Sequence, residues 1–170
     1  MEEKIVAAQI DLNQKVLEIL EKHSDMVRRI CFVFLRNKSD VEDIFQNVFM
    51  KLLLRKISFE NDEHEKAWLI RVAINECQDL LKSFWQKNIN IADYVDEPFK
   101  DKDENELLQV VLSLPQKYKE VIYLYYYEGY TVHQMSKILK RSENTLYSHL
   151  HRAKKLIRKK LEGKEDEYSF

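Results

Sequence analysis

Glycine and proline are nearly missing from this chain, with two of each in 170 residues. Hairpin turns draw on both, so their scarcity points away from strands and towards an all-helical protein. Cysteine is equally scarce. Cys31 and Cys77 each sit on an apolar stripe, Val27, Ile30, Cys31, Phe34 and Ile70, Ile74, Cys77, Leu81. They read as buried thiols, with a disulfide or redox pair as the alternative. No run approaches the roughly 18 apolar residues of a membrane span. The opening MEEKIVAAQIDLNQ has neither the basic nor the apolar region of a signal peptide. A soluble cytoplasmic protein is the expectation. A glycine-rich phosphate loop, a Ser/His/Asp pattern and Cys/His ligand spacing are all lacking. His64 stands between Glu63 and Glu65, but no second cluster supports a metal site. Nothing calls for an enzyme, a cofactor or a metal.

What the chain does have is helical periodicity and segregated charge. Hydrophobic residues make up 45% of it, and the formal net charge is −1. That balance conceals an acidic stretch at 93–106, net −5, ahead of a basic one at 131–164, net +8. Apolar residues recur at helical spacing over Leu12–Arg36, Asp40–Arg55 and Lys66–Lys87. Ser39 and Glu42 have capping-box spacing at the start of the second stretch, and the polar run Ser58–Glu65 reads as a loop. Residues 88–104, acidic and holding Pro98, read as a flexible linker. Periodicity returns in a short helix from Asn105 to Ser113 and in another from near Pro115. The expected organisation is a helical domain at 1–87, the linker at 88–104, and a second small helical domain at 105–170.

The second domain ends in a helix-turn-helix pattern. Thr131–Leu139 reads as a short helix, Lys140–Ser142 as a turn, and Asn144–Leu161 as a long basic helix. Gly129 suits the left-handed end of the preceding helix. Thr131 with Gln134 has capping-box spacing, and Ser142 can cap the next helix. Met135, Ile138 and Leu139 should pack on Leu146, Leu150, Ala153 and Ile157. The opposite face carries Asn144, Tyr147, Ser148, His151, Arg152 and Lys155, within a field that suits phosphate. A merely solvated hairpin is the plainer reading. The tyrosines at 118, 123, 125, 126, 127 and 130 read as packing for the hairpin's scaffold, Trp68 as core, and Phe84 and Trp85 as a pair of which one is exposed.

Two more polar faces stand out. Asp40, Asp43, Gln46 and Asn47 line up opposite the apolar stripe of the second helix, and Arg71, Asn75, Gln78, Asp79, Lys82 and Gln86 line the third. Either alone is as readily a solvated face as a binding surface. Together with their context they resemble a known family. SDVEDIFQNVF resembles the core-binding signature of bacterial sigma factors. KAWLIRVAINECQDLLK resembles their promoter-melting and minus-ten helix, and LPQKYKEVIYLYYYEGYTVHQMSKILKRSENTLYSHLHRAKKLI resembles their minus-thirty-five domain. The order and spacing are those of the two-domain extracytoplasmic-function (ECF) group, over roughly residues 20–162.

The resemblance implies an all-α, two-domain fold and a chain that binds core RNA polymerase and directs promoter recognition, melting and initiation. A stand-alone helix-turn-helix regulator with an N-terminal dimerising or sensing bundle is the alternative. It implies polymerase contact through Asp40, Asp43, Gln46, Asn47 and Phe49. It implies minus-ten contact through Phe59, Asn61, Arg71, Asn75 and Lys82, the loop 59–66 capturing a flipped base. It implies minus-thirty-five contact through Asn144, Thr145, Tyr147, Ser148, His151, Arg152 and Lys155. Promoter DNA, core polymerase and an anti-sigma factor are the partners it implies, with no membrane insertion. The loop departs from the pattern in its Glu60, Asp62, Glu63 and Glu65, more acid than single-stranded DNA favours.

Overall fold

Long stretches of Glu, Lys, Ala, Leu and Ile without Gly or Pro favour helix, and in the computed structural model every regular element is helical. The structure describes residues 1–55, 58–89 and 106–163, and none of these lies in a strand. The chain divides into two units, Met1–Asp96 and Glu97–Phe170. Of the linker read at 88–104, all but residues 88 and 89 lie outside the described residues.

The first unit is a three-helix bundle of α1 (Glu2–Leu35), α2 (Lys38–Arg55) and α3 (Asp62–Gln86). Its core is the apolar stripe of each helix turned inward. Val27, Ile30 and Cys31 meet Val48 and Leu52 on one side and Leu69, Ile70, Ala73, Ile74 and Cys77 on the other, all at 0–2% exposure. Each fully buried aliphatic side chain contributes about 1.5–3 kcal/mol. Both thiols are free and buried. The neighbouring Cys31 thiol first, and burial second, push the Cys77 thiol well above its usual range.

Three helix starts differ from the sequence reading. α1 begins at Glu2, ten residues early. Its first ten residues, Glu2–Asp11, are all exposed, so no core face marked them as helix. Glu2 and Glu3 in the first turn and the Lys15–Asp11 and Gln9–Asn13 pairs favour helix there without packing. The Ser39–Glu42 capping box does not form. Asn37 Oδ1 accepts the Asp40 N–H at 3.0 Å instead, and Glu42 is taken by Arg28 at 3.0 and 3.4 Å. α3 begins at Asp62 because Asn61 Oδ1 accepts the His64 N–H at 2.8 Å, so half of the expected loop is helix.

The second unit comprises α4 (Glu106–Leu112), α5 (Gln116–Ile122), a π-helical turn (Tyr123–Tyr127), α6 (Val132–Leu139) and α7 (Glu143–Leu161). Pro115 is the N-cap of α5. In the π turn Glu128 N–H donates to Tyr123 C=O, five residues back, at 3.1 Å. The turn divides the tyrosines. Tyr118, Tyr123 and Tyr130 are buried as scaffold, whereas Tyr125, Tyr126 and Tyr127 face solvent, contrary to the packing role read for all six. Gly129, at φ +74°, ends this segment in the left-handed conformation. Among the described residues no helix is long and apolar enough to cross a membrane.

Candidate nucleic-acid interface

The hairpin of α6 and α7 is built as its sequence dictates. Thr131 and Gln134 form the reciprocal capping box, and Ser142 Oγ accepts the Thr145 N–H at 3.2 Å. Lys140 turns the chain in the left-handed conformation, at φ 52°. Met135, Ile138, Leu146, Leu150 and Ala153 are buried between the helices, with Leu139 and Ile157 half-buried. The turn is fastened by an ion pair from Arg141 to Glu120, whose side chain is wholly buried. His133 Nδ1 lies 2.8 Å from Glu143 Oε1 and ties the two helix starts together.

That framework leaves one face of α7 free. Asn144, Thr145, Tyr147, Ser148, His151, Arg152 and Lys155 are all exposed. Thr145 Oγ1 is already 2.8 Å from Ser142 Oγ, so its hydroxyl also serves the cap. His149 is turned inward, ring edge to Tyr118 at 5.7 Å. Burial first, then the charges of Arg141, Lys117 and Arg152, lower its pKa. Lys154 lies over the Tyr126 ring at 5.5 Å, and the Tyr126 hydroxyl raises its pKa. Beside it Leu107, Val111, Ile122, Tyr126, Ile157 and Leu161 line an open apolar groove of about 520 Å³, with Lys154 and Arg158 at its margin.

In the first unit α3 presents Asn75 and Lys82 exposed and Arg71 half-buried, opposite its core stripe. Lys82 Nζ is 3.5 Å from Asp79, a solvent-screened pair of little energetic weight. Phe59 is half-buried rather than free. Its ring meets His64 at 5.6 Å and Trp68 at 5.8 Å, and Trp68 is itself half-buried. Asn61 is exposed and acts as the helix cap. Two of the four acidic side chains of this region are engaged. Glu65 lies 2.8 Å from the buried His23 ring, and Lys22 reaches Asp62 at 3.0 Å and Glu65 at 3.6 Å. Glu60 and Glu63 remain beside the loop. No reading of one helix at a time could find these pairings, because His23 and Glu65 are 42 residues apart.

On α2, Asp43, Gln46 and Asn47 are exposed and Asp40 is half-buried. Phe49 corrects the sequence reading: it is 6% exposed and packs on Phe45 at 4.9 Å, so it supports the face from beneath. The apolar side chains exposed on that face are Met50 and Leu54, at 50% and 72%. They follow Gln46 and Asn47 at helical spacing and extend the polar line by two turns. Sequence reasoning passed over both because they fall outside the inward stripe. Among the described residues no three His, Cys, Asp or Glu side chains converge as a metal would need.

Residues 19–86 match sigma-70 region 2, and residues 104–157 match sigma-70 region 4. RNA polymerase sigma factor SigV of Bacillus subtilis (strain 168) is 29% identical over 153 residues, covering 85% of this chain and 89% of the relative. The ECF RNA polymerase sigma factor SigW of the same organism is 25% identical over 163 residues, covering 85% and 87%. The sigma factor RpoE from Bartonella quintana, solved in complex with the anti-sigma factor NepR, superposes with a TM-score of 0.67 at 20% identity, covering 91% of this chain and 99% of that one. CnrH, solved with the cytosolic domain of CnrY, gives 0.65 at 18%. A bundle followed by a helix-turn-helix, each matching its own sigma-70 region in the order of that family, defines a transcription initiation factor. The chain belongs to the ECF group of bacterial RNA polymerase sigma factors. Its function is that of the group: it binds core polymerase and directs promoter recognition and initiation, and the stand-alone regulator is not favoured.

Proposed function

We propose that three surfaces divide this work. The α2 face of Asp40, Asp43, Gln46 and Asn47, extended by Met50 and Leu54, docks on core polymerase. Its polar half suits a basic partner, and the two exposed apolar side chains supply the desolvated centre that interface energetics require. The loop around Phe59 and Asn61, with Arg71, Asn75 and Lys82 of α3, holds the melted minus-ten strand. The free face of α7 reads the minus-thirty-five duplex, Arg152 against base edges and Lys155 against phosphate.

The observation that carries this reading is the disposition of the three polar lines. Each carries exposed polar side chains opposite a complete core face: Asp43, Gln46 and Asn47 on α2, Asn75 and Lys82 on α3, and Tyr147, Ser148, His151, Arg152 and Lys155 on α7. Glu65 is held against α1 by His23 and Lys22, which supports the minus-ten role because that carboxylate is turned away from a strand-binding loop. The apolar groove beside Lys154 and Arg158 supports a protein partner on the second unit. An anti-sigma factor is the partner we assign, since the structural neighbour from Bartonella quintana was solved with one. The chain acts in the cytoplasm as a non-enzymatic specificity subunit with no cofactor.

Transcription in vitro from a genomic library, with core polymerase added, is the test. Start sites that need both the chain and polymerase are expected. Asp43→Lys with Gln46→Ala should reduce them by weakened assembly, and Asn75→Ala by reduced melting in an assembled holoenzyme. Variants that transcribe like the parent would overturn the assignment.

A further inference from the structure

Trp85 has no role in the surfaces described so far. It lies in the last turn of α3 and is 73% exposed, whereas its neighbour Phe84 is buried in the bundle. The helix ends firmly at this point. Lys87 N–H donates to Ser83 C=O at 3.1 Å, and Ile89 N–H to Phe84 C=O at 3.0 Å, around Asn88 at φ 53°. The indole is therefore held out on an ordered turn. Tryptophan is enriched at interfaces, where its apolar body and its N–H both find partners.

The setting of the ring selects its ligand. Trp85 stands three residues beyond Lys82 and seven beyond Gln78, on the flank of the face that carries Arg71 and Asn75. Lys82 and Lys87 are exposed beside it, and residues 82–88 contain no acid. Lys82 shares its charge with Asp79 at 3.5 Å across solvent, a weak pair that a phosphate can replace. An aromatic plane with lysines on either side along the chain fits a nucleobase stacked on the ring while its phosphates meet the lysines. Ten residues separate Asn75 from Trp85, a rise of about 15 Å along the helix. At about 3.4 Å per base step that is four to five steps of DNA.

We infer that Trp85 stacks on a base of promoter DNA about four to five steps upstream of the base met by Asn75, at the junction between duplex and melted strand. The inference rests on the minus-ten reading of α3. Stacking there caps the last paired step or holds the first unpaired base, and in both cases it opposes closure of the bubble.

The test uses the holoenzyme on a promoter identified by the transcription experiment above, with 2-aminopurine placed singly along the upstream edge of the bubble. In the parent, one or two adjacent positions should be quenched by stacking. Trp85→Ala should release that quenching and speed decay of the open complex about 5- to 150-fold, the effect of losing one stacked base. Trp85→Phe should keep most of both. Quenching and decay unchanged in Trp85→Ala would overturn the inference, as would a loss confined to polymerase assembly or to anti-sigma binding, which would make the ring a protein contact. Asn75→Ala separates the two levels. If it impairs melting and Trp85→Ala does not, only the stacking role falls; if neither variant does, the minus-ten reading of α3 falls with it.

Discussion

Arg141 offers the sharpest test of how the recognition helix is held. Its guanidinium pairs with Glu120, whose side chain is fully buried, while the Arg141 side chain is 30% exposed. Arg141→Ala would leave a buried carboxylate without that cation. Breaking such a pair from one side costs about 3–5 kcal/mol. Partial exposure of the arginine lets water reach the site and brings the figure to the lower end, about 3 kcal/mol. A unit of this size holds about 3–9 kcal/mol in all. The loss therefore matters, and it corresponds to a fall in Tm of about 12–24 °C. Circular dichroism melts of the full chain would measure it. The control is the double change Glu120→Leu with Arg141→Leu, which removes both charges and should recover most of the loss. A single Arg141→Ala variant that melts within about 4 °C of the parent, under 1 kcal/mol, would refute the view that this pair fastens the hairpin.

Other outcomes follow from the same geometry. Phe49→Ala should cost about 3–5 kcal/mol of stability as a core truncation, whereas Asp43→Lys with Gln46→Ala should weaken polymerase capture and leave the melt unchanged; paired melts and pull-downs distinguish the two. Lys155→Ala should weaken promoter binding for every sequence and lower the salt slope by about 1. Arg152→Ala should cost about 1–3 kcal/mol and relax preference at one position. Binding-site selection by holoenzyme at two salt concentrations would show an equal loss for all sequences if Arg152 is only a phosphate clamp. His149 gives a pH signature. Its pKa in the fold is lowered from 6.5, so the unfolded chain takes up the proton first. The contribution is complete above about pH 6.5 and is lost as pH falls towards the lowered value. Denaturation of parent and His149→Gln over pH 5–8 should show a slope in the parent that the variant lacks.

How much could be read from the sequence depended on whether a segment had a core to face. The stripes of α2, α3 and the hairpin repeat at helical spacing because they are buried, and their positions follow from that alone. Glu2–Asp11 is helical with nothing packed on it, so its period carried no signal. Asp62–Glu65 looked like a loop because four polar residues in a row have no apolar mark; the cap at Asn61 makes them helix. The run YLYYY has no polar punctuation to reveal a π turn. The same logic governs the candidate sites. Most side chains opposite a stripe are exposed, with Asp40 and Arg71 half-buried, whereas Phe49, an aromatic residue that fits either a core or an anchor, is buried. The pairing of Glu65 with His23 depends on tertiary contact and left no trace in local spacing.

The π turn at Tyr123–Tyr127 has a consequence for how this segment tolerates change in length. An α-helix advances about 100° per residue, and a π turn accommodates one extra residue without breaking the rod. Deleting one tyrosine here would therefore act less as a truncation than as a rotation. The segment would relax to ordinary pitch, and everything after it, Gly129 and the start of α6 included, would arrive turned by about a quarter of a circle. Val121 and Leu124 could not both keep their seats in the core while Met135 kept its own. The extra residue thus works as a phase shifter between two packed surfaces, and the three outward tyrosines are the visible sign of its setting.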